Sequence, residues 1–290
     1  TYYSTKVPPS VELVKKHIDL HLKHYKQTQI IVADDLLAYE KSEQDQQELL
    51  NYALKNGISL RDDSPMVQGY MENDLDTWTV RHPEFFAEVY KTMPTVYELQ
   101  HYGHVKNDGN WLGKNGEDTI PGIGVSGADI FRNSVKIIRP TYIGWHGYLG
   151  EWLTDNPELT KELLNLCGYW YFPKSINVTQ TKSHSLSFEI EWLNKGVAPA
   201  YKTYQLRGKL IPTDKTAESI EFKIEDSGNK KWMPDQTITE KYTVNLSQKP
   251  KGEYWLAIQL FDTKWETPVE IGLTTDIKVE DYFKIQNISF

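Results

Sequence analysis

The chain has little of what most catalytic and binding classes need. Of its 290 residues one is cysteine, Cys167, so no internal disulfide can form, and its place in an apolar helical run reads as a buried hydrophobe. No apolar run approaches the roughly 20 residues that cross a bilayer, so a membrane span is not expected. Basic residues are outnumbered, with a net charge of −8, which argues against nucleic acid as a partner, since that affinity rests on clustered Lys and Arg. There is no H-E-x-x-H and no cysteine pair, which weakens a zinc site. There is no G-x-S-x-G elbow, which disfavours a serine hydrolase. The opening, TYYSTKVPPS, reads as a polar loop without a signal-peptide pattern and without an initiator Met, so a processed or truncated product is expected.

Aromatic residues are plentiful, with 9 Trp and 18 Tyr. Most of them fill cores, but Trp and Tyr in loops also stack on the apolar face of sugar rings.

Two halves follow different periods. Up to about residue 172, helical and strand-like stretches alternate. VELVKKHIDLHLKHY is amphipathic, with Ser10 as N-cap. QIIVADD is a short apolar run ending in two acids. SEQDQQELLNYALKNG is a helix from Ser42 to Gly57, and ISLRDDS is a second strand. HPEFFAEVYKTM (82–93) is a third helix and TVYELQHYG a third strand. SGADIFRNSVKIIRP is a fourth helix, TYIGWHGY a fourth strand and NPELTKELLNLCG a fifth helix. Such alternation implies parallel βαβ units with strands buried on both faces. The pattern fits either a barrel or an open sheet. From about residue 175 the period becomes two, in SLSFEIEWLN, YKTYQLRGKL, IEFKIED, TEKYTVNL, EYWLAIQLFD and DYFKIQNISF, which indicates an antiparallel sandwich. The expected fold class is therefore α/β plus all-β, with units 1–172 and 173–290 and a boundary near YFPKS.

GIGVSG places Gly122, Gly124 and Gly127 in the G-x-G-x-x-G spacing of a dinucleotide loop. The preceding NDGNWLGKNGEDTIP is no strand, and no carboxylate stands about 20 residues beyond Gly127. These glycines are expected to turn a long loop, and no cofactor is expected.

Parallel α/β folds bind ligands at the carboxyl ends of their strands. That rule singles out Asp34 and Asp35; Arg61, Asp62 and Asp63; Glu98, His101 and His104; and Trp145, His146, Glu151 and Trp152. Asp35 and Asp63 also suit helix caps, Asp62 suits an ion pair with Arg61, and His101 and His104 suit a surface loop. Glu98 stands inside an apolar strand, where a carboxylate is costly unless paired or functional. Carboxylates with His and Trp at one rim are what glycoside hydrolysis uses, one acid protonating the leaving oxygen and a second carboxylate attacking or activating water. A metal site from Asp62, Asp63, His101, His104 and His146 is the competing reading.

Three stretches carry a family resemblance: GISLRDDS (57–64), VYELQHYGH (96–104) and EWLNKGVAPAYKTYQLRGKL (191–210). The first half resembles the C-terminal part of a (β/α)8-barrel glycoside hydrolase of the large retaining clan. The second resembles the β-sandwich behind such barrels in bacterial polysaccharide-degrading proteins, a domain of unknown function. The resemblance implies a partial TIM-type barrel followed by a sandwich, a carbohydrate ligand, and a periplasmic or extracellular location. It puts Glu98 in the nucleophile position at the end of the seventh strand. Asp35, Asp62, Asp63, His101, His104, His146 and Glu151 would bind hydroxyls or position Glu98, and Trp145 would stack on the sugar. The acid/base would end the fourth strand, ahead of Thr1. Either the chain is a fragment or product whose missing N-terminal half acts as a partner, or the strand count differs. A non-catalytic carbohydrate-binding protein on a degenerate barrel is the alternative, and a docking role for the sandwich a third.

Overall fold

The computed structural model describes residues 9–38, 40–63, 80, 82–99, 101–145, 149–182, 184–214, 217–224 and 227–290. The chain divides into two compact units, Thr1–Gly168 and Tyr169–Phe290. It is mixed α/β, with one curled, half-barrel parallel sheet and two antiparallel sheets.

The first unit is built on β1 (Ile31–Ala33), β2 (Ser59–Asp63), β3 (Val96–Leu99) and β4 (Tyr142–Trp145), hydrogen-bonded in that order and all parallel. Before, between and after them run α1 (Val11–His24), α2 (Asp34–Ala38), α3 (Glu43–Lys55), α4 (Pro83–Phe86), α5 (Tyr102–Asn107), α6 (Gly127–Ile138), α7 (Leu149–Asp155) and α8 (Pro157–Leu166). The helix starts are set by local chemistry. Ser10 Oγ accepts from Leu13 N at 3.2 Å, Ser42 Oγ from Asp45 N at 3.2 Å and Ser126 Oγ from Asp129 N at 3.1 Å, each satisfying a donor the first turn would leave orphaned. The helix expected over 82–93 is one turn of α4 followed by a 3₁₀ turn at Val89–Lys91. Its aromatic and β-branched residues are weak helix formers, and burial of Phe85, Phe86 and Val89 decides its path instead.

The sheet departs from the expectation of burial on both faces. Val32, Leu60, Tyr97 and Leu99 are buried, Tyr97 against Phe131 of α6, each large side chain contributing about 1.5–3 kcal/mol. The alternate residues face outward: Ile31 is 41% and Tyr142 59% exposed. Ser59, in register with Ile31, is buried, so among the described residues this second face is the more open of the two without being bare.

In the second unit β5 (Tyr171–Lys182), β6 (Ser185–Asn194) and β9 (Thr237–Asn245) form one antiparallel sheet in the order β5-β6-β9. The other sheet runs β12-β13-β10-β7-β8, comprising β12 (Lys278–Val279), β13 (Tyr282–Ser289), β10 (Glu253–Asp262), β7 (Gln205–Pro212) and β8 (Ile220–Ile224), with β11 (Thr267–Val269) paired to β10. The alternation read from the sequence is the observed burial: Leu186, Phe188, Ile190 and Trp192 join Leu206, Leu210, Leu256, Ile258 and Leu260 in one hydrophobic cluster. YFPKS, expected at the boundary, is the beginning of β5.

At Gly208 the two strands β7 and β8 leave no room for a side chain, because a Cβ there would stand 2.0 Å from Phe222 Cζ. Gly208→Ala is expected to cost about 1–3 kcal/mol through overpacking, read as a lower urea midpoint with unchanged slope.

Candidate functional site at the carboxyl rim of the parallel sheet

Register assigns each rim residue to a face. Asp62 pairs with Tyr97, Leu99 with Trp145, and Glu98 with Asp63 on one side and Gly144 on the other. Side chains in register on parallel strands point the same way, and neighbours along a strand point oppositely. Glu98 and Arg61 therefore share the open face. Arg61 Nη1 lies 2.9 Å from Glu98 Oε2, with the side chains 36% and 23% exposed. The contact fixes one carboxylate oxygen of Glu98, on a central strand, beside a glycine that leaves the neighbouring position open.

Asp62 and Trp145 lie on the opposite, helix-packed face. Asp62 is 1% exposed. Burial raises the Tyr97 phenol well above its usual range, and the nearby Asp62 charge pushes it the same way. Trp145 packs against Trp152 at 5.1 Å between ring centroids, within a cluster that continues through Trp111, Phe131 and Tyr102.

The other rim residues fall into separate groups. Asp34 is buried and its Oδ1 accepts from Asp35 N at 2.9 Å, with both residues in the first turn of α2, where acids are favoured by the helix dipole. His101 precedes α5, and its ring stacks on His104 at 4.7 Å. Glu151 on α7 is held by Lys106 on α5 at 2.7 Å, and Lys106 also takes Asp155 at 2.7 Å. Hydrogen bonding from Lys106 holds the Asp155 carboxyl below its usual range, and burial pushes Tyr102, which donates to Asp155, up to about 12. Only the backbone of Asp63 is described, and His146 lies outside the described residues.

The structure thus joins Glu98 to Arg61, His101 to His104 and Glu151 to Lys106. It does not bring Asp62, Trp145 or Glu151 to Glu98. The sequence offers Asp62, its neighbour in the chain, as an ion-pair partner for Arg61, and the structure sets Arg61 beside Glu98 on the adjacent strand. Lys106 went unnoticed because its residue type carries no motif. Among the described residues no group of three or more His, Cys, Asp or Glu comes together in a metal-binding arrangement.

The GIGVSG loop is a tight turn. Ile120 N donates to Val125 O at 2.9 Å and Gly124 N to Ile120 O at 3.2 Å, with φ of 84° at Gly122 and 86° at Gly124, values that glycine adopts without strain. Gly127 opens α6 directly behind it.

No family model matches the chain, and no curated protein matches it. Among solved structures, a β-glucosidase from Listeria innocua in complex with glucose aligns with 81% of this chain and 39% of its own, at 9% identity and a TM-score of 0.20. A mutant β-glucosidase from Listeria innocua in complex with laminaribiose aligns with 81% and 39%, at 8% identity and a TM-score of 0.18. This chain spans about two fifths of the length of those enzymes.

Proposed function

We infer that this is a glycoside hydrolase-like protein acting on a poly- or oligosaccharide, with Glu98 as its working carboxylate. In this reading the first unit is the C-terminal portion of a (β/α)8 barrel and the second a β-sandwich accessory domain, in a periplasmic or extracellular protein. The observation that carries it is the position of Glu98: a carboxylate near the carboxyl end of a central parallel strand, on the open face, oriented by Arg61 at 2.9 Å. Glycosidic cleavage needs such a carboxylate aimed at the anomeric carbon or at a water beside it.

A second reading, a non-catalytic carbohydrate-binding protein on a degenerate barrel, is favoured by one finding. Of the other carboxylates weighed, Asp62 is buried on the far face and Glu151 is engaged by Lys106. One experiment separates the two. The chain, alone and within any longer native protein, is assayed on a panel of plant and host glycans beside Glu98→Gln. The hydrolytic reading expects turnover in the parent and a loss of about a hundredfold or more in the variant, the scale of a lost acid–base group. Unchanged turnover removes Glu98 from the mechanism, and binding without any turnover selects the second reading.

A further inference from the structure

The outward face of the six-stranded sheet in the second unit carries an arrangement that folding alone does not call for. Arg207 on β7 stands directly opposite Lys223 on β8 in antiparallel register. Like charges so placed destabilise a strand pair. In the next row Lys209 faces Glu221, and it is neutralised there by Glu221 at 3.4 Å and Glu280 at 2.8 Å. Among the described residues no carboxylate pairs with Arg207, Lys223 or Lys284. The protein therefore balances one cation of this face twice over and leaves three others without a described acidic partner, in a chain whose net charge is −8.

Arg207 is also held in place. Its guanidinium carbon lies 3.3 Å from the centroid of the Phe261 ring, and its Nε donates to Gln205 Oε1 at 2.7 Å. A stacked guanidinium with Nε engaged presents its two terminal nitrogens as a fixed fork, the geometry that grips a carboxylate through two hydrogen bonds. Along β10 the side chains on this side of the sheet run from Phe261 through Gln259 and Ala257, both buried beneath their neighbours, to Trp255, which is 36% exposed with the Lys284 amine 6.0 Å from its ring centre. The Arg207 row and the Trp255 row are four residues apart on β10, about 13–14 Å at the strand rise.

We propose that this face binds a carboxylate-bearing polysaccharide, with Arg207 and Lys223 receiving one uronate carboxylate and Trp255, with Lys284 beside it, stacking on a sugar ring further along the chain. The choice of a saccharide rests on the carbohydrate reading above. Charge decides against nucleic acid as the polyanion, since one small cationic strip on an acidic protein lacks the run of phosphate contacts that such binding needs.

The test uses the full chain in calorimetric titrations with polygalacturonate, a neutral dextran and an oligothymidylate, beside the Arg207→Gln/Lys223→Gln double variant. The expected result is binding of polygalacturonate in preference to the other two, weakened at least about tenfold in the double variant, equivalent to about 1.4 kcal/mol. The urea midpoint of Lys223→Gln alone should be equal to or above that of the parent, because the opposed charge is gone and the stacking of Arg207 is kept; this single variant also gives the affinity reading should the double variant fail to fold. Failure to bind polygalacturonate, equal affinity in the variants, or tighter binding of the dextran or the oligothymidylate overturns the proposal. This face is tested by the affinity of the Arg207 and Lys223 variants and the Glu98 reading by the turnover of Glu98→Gln, so failure of the one and failure of the other give different results.

Discussion

Replacing Trp152 by alanine is expected to lower the stability of the first unit by about 3–5 kcal/mol. The indole is fully buried, and its ring touches Tyr102 at 5.2 Å, Trp111 at 5.0 Å, Phe131 at 5.6 Å and Trp145 at 5.1 Å. Its Nε1 donates to Thr160 Oγ1 at 2.8 Å, and that hydroxyl donates in turn to Asn156 O at 2.6 Å. Truncation opens a cavity at the meeting point of α5, α6, α7 and β4 and leaves a polar chain short of a donor. A domain has about 5–15 kcal/mol in hand, so this loss takes a large share of it. Urea unfolding followed by tryptophan fluorescence measures the change. A Trp152→Phe variant should recover much of the loss, because the ring contacts return and only the hydrogen bond is missing. A shift below about 1 kcal/mol in the alanine variant would mean that the cluster does not pack as described.

The second large effect is with pH. Burial raises the phenols of Tyr97, Tyr171, Tyr204 and Tyr242 above their ordinary value of 10, takes Tyr102 up to about 12, and lifts the Cys167 thiol from 9 to about 11. For an acid whose folded value is raised, the unfolded chain releases its proton first, so raising the pH favours unfolding. The stability these groups contribute is fully present below about pH 9. It begins to fall as the unfolded Cys167 ionises and falls more steeply above pH 10 as unfolded tyrosines do. Urea midpoints measured in steps from pH 8 to pH 11.5 should be flat at first and then drop. Exposed tyrosines such as Tyr25 and Tyr142 ionise in the folded protein, and the remaining tyrosine absorbance change, from the buried rings, should coincide with unfolding. A midpoint that stays constant through pH 11 contradicts the buried placement of these rings.

The sequence displayed its periods clearly and its faces poorly. Ser10 and Ser42 were recognisable as caps because a helix start is a local event, decided within four residues. The second unit was open to reading where a strand alternates, as β6 does along its whole length, whereas the central β10 is buried without alternation from Leu256 to Leu260. The short helices α5 and α7 escaped notice because they make at most two turns, and packing rather than propensity supports them. Glu98 stood out as a carboxylate in an apolar strand, and only the resemblance gave it the nucleophile position. Its partner did not stand out, since register between β2 and β3 is a tertiary fact that no single stretch records. Asp62 and Trp145 were gathered to the rim because they end strands, whereas their side chains belong to the helix side of the sheet.

The order of the parallel sheet has a consequence for hydrogen exchange. Among the described residues β1 and β4 have a neighbour on one side only, whereas β2 and β3 are bonded on both. Amide protons of Ile31 to Ala33 and Tyr142 to Trp145 should therefore exchange by fraying of the margins, while those of β2 and β3 wait for wider opening. Arg61 and Glu98 are mounted on the two inner strands, so their spacing survives the breathing of the margins on either side.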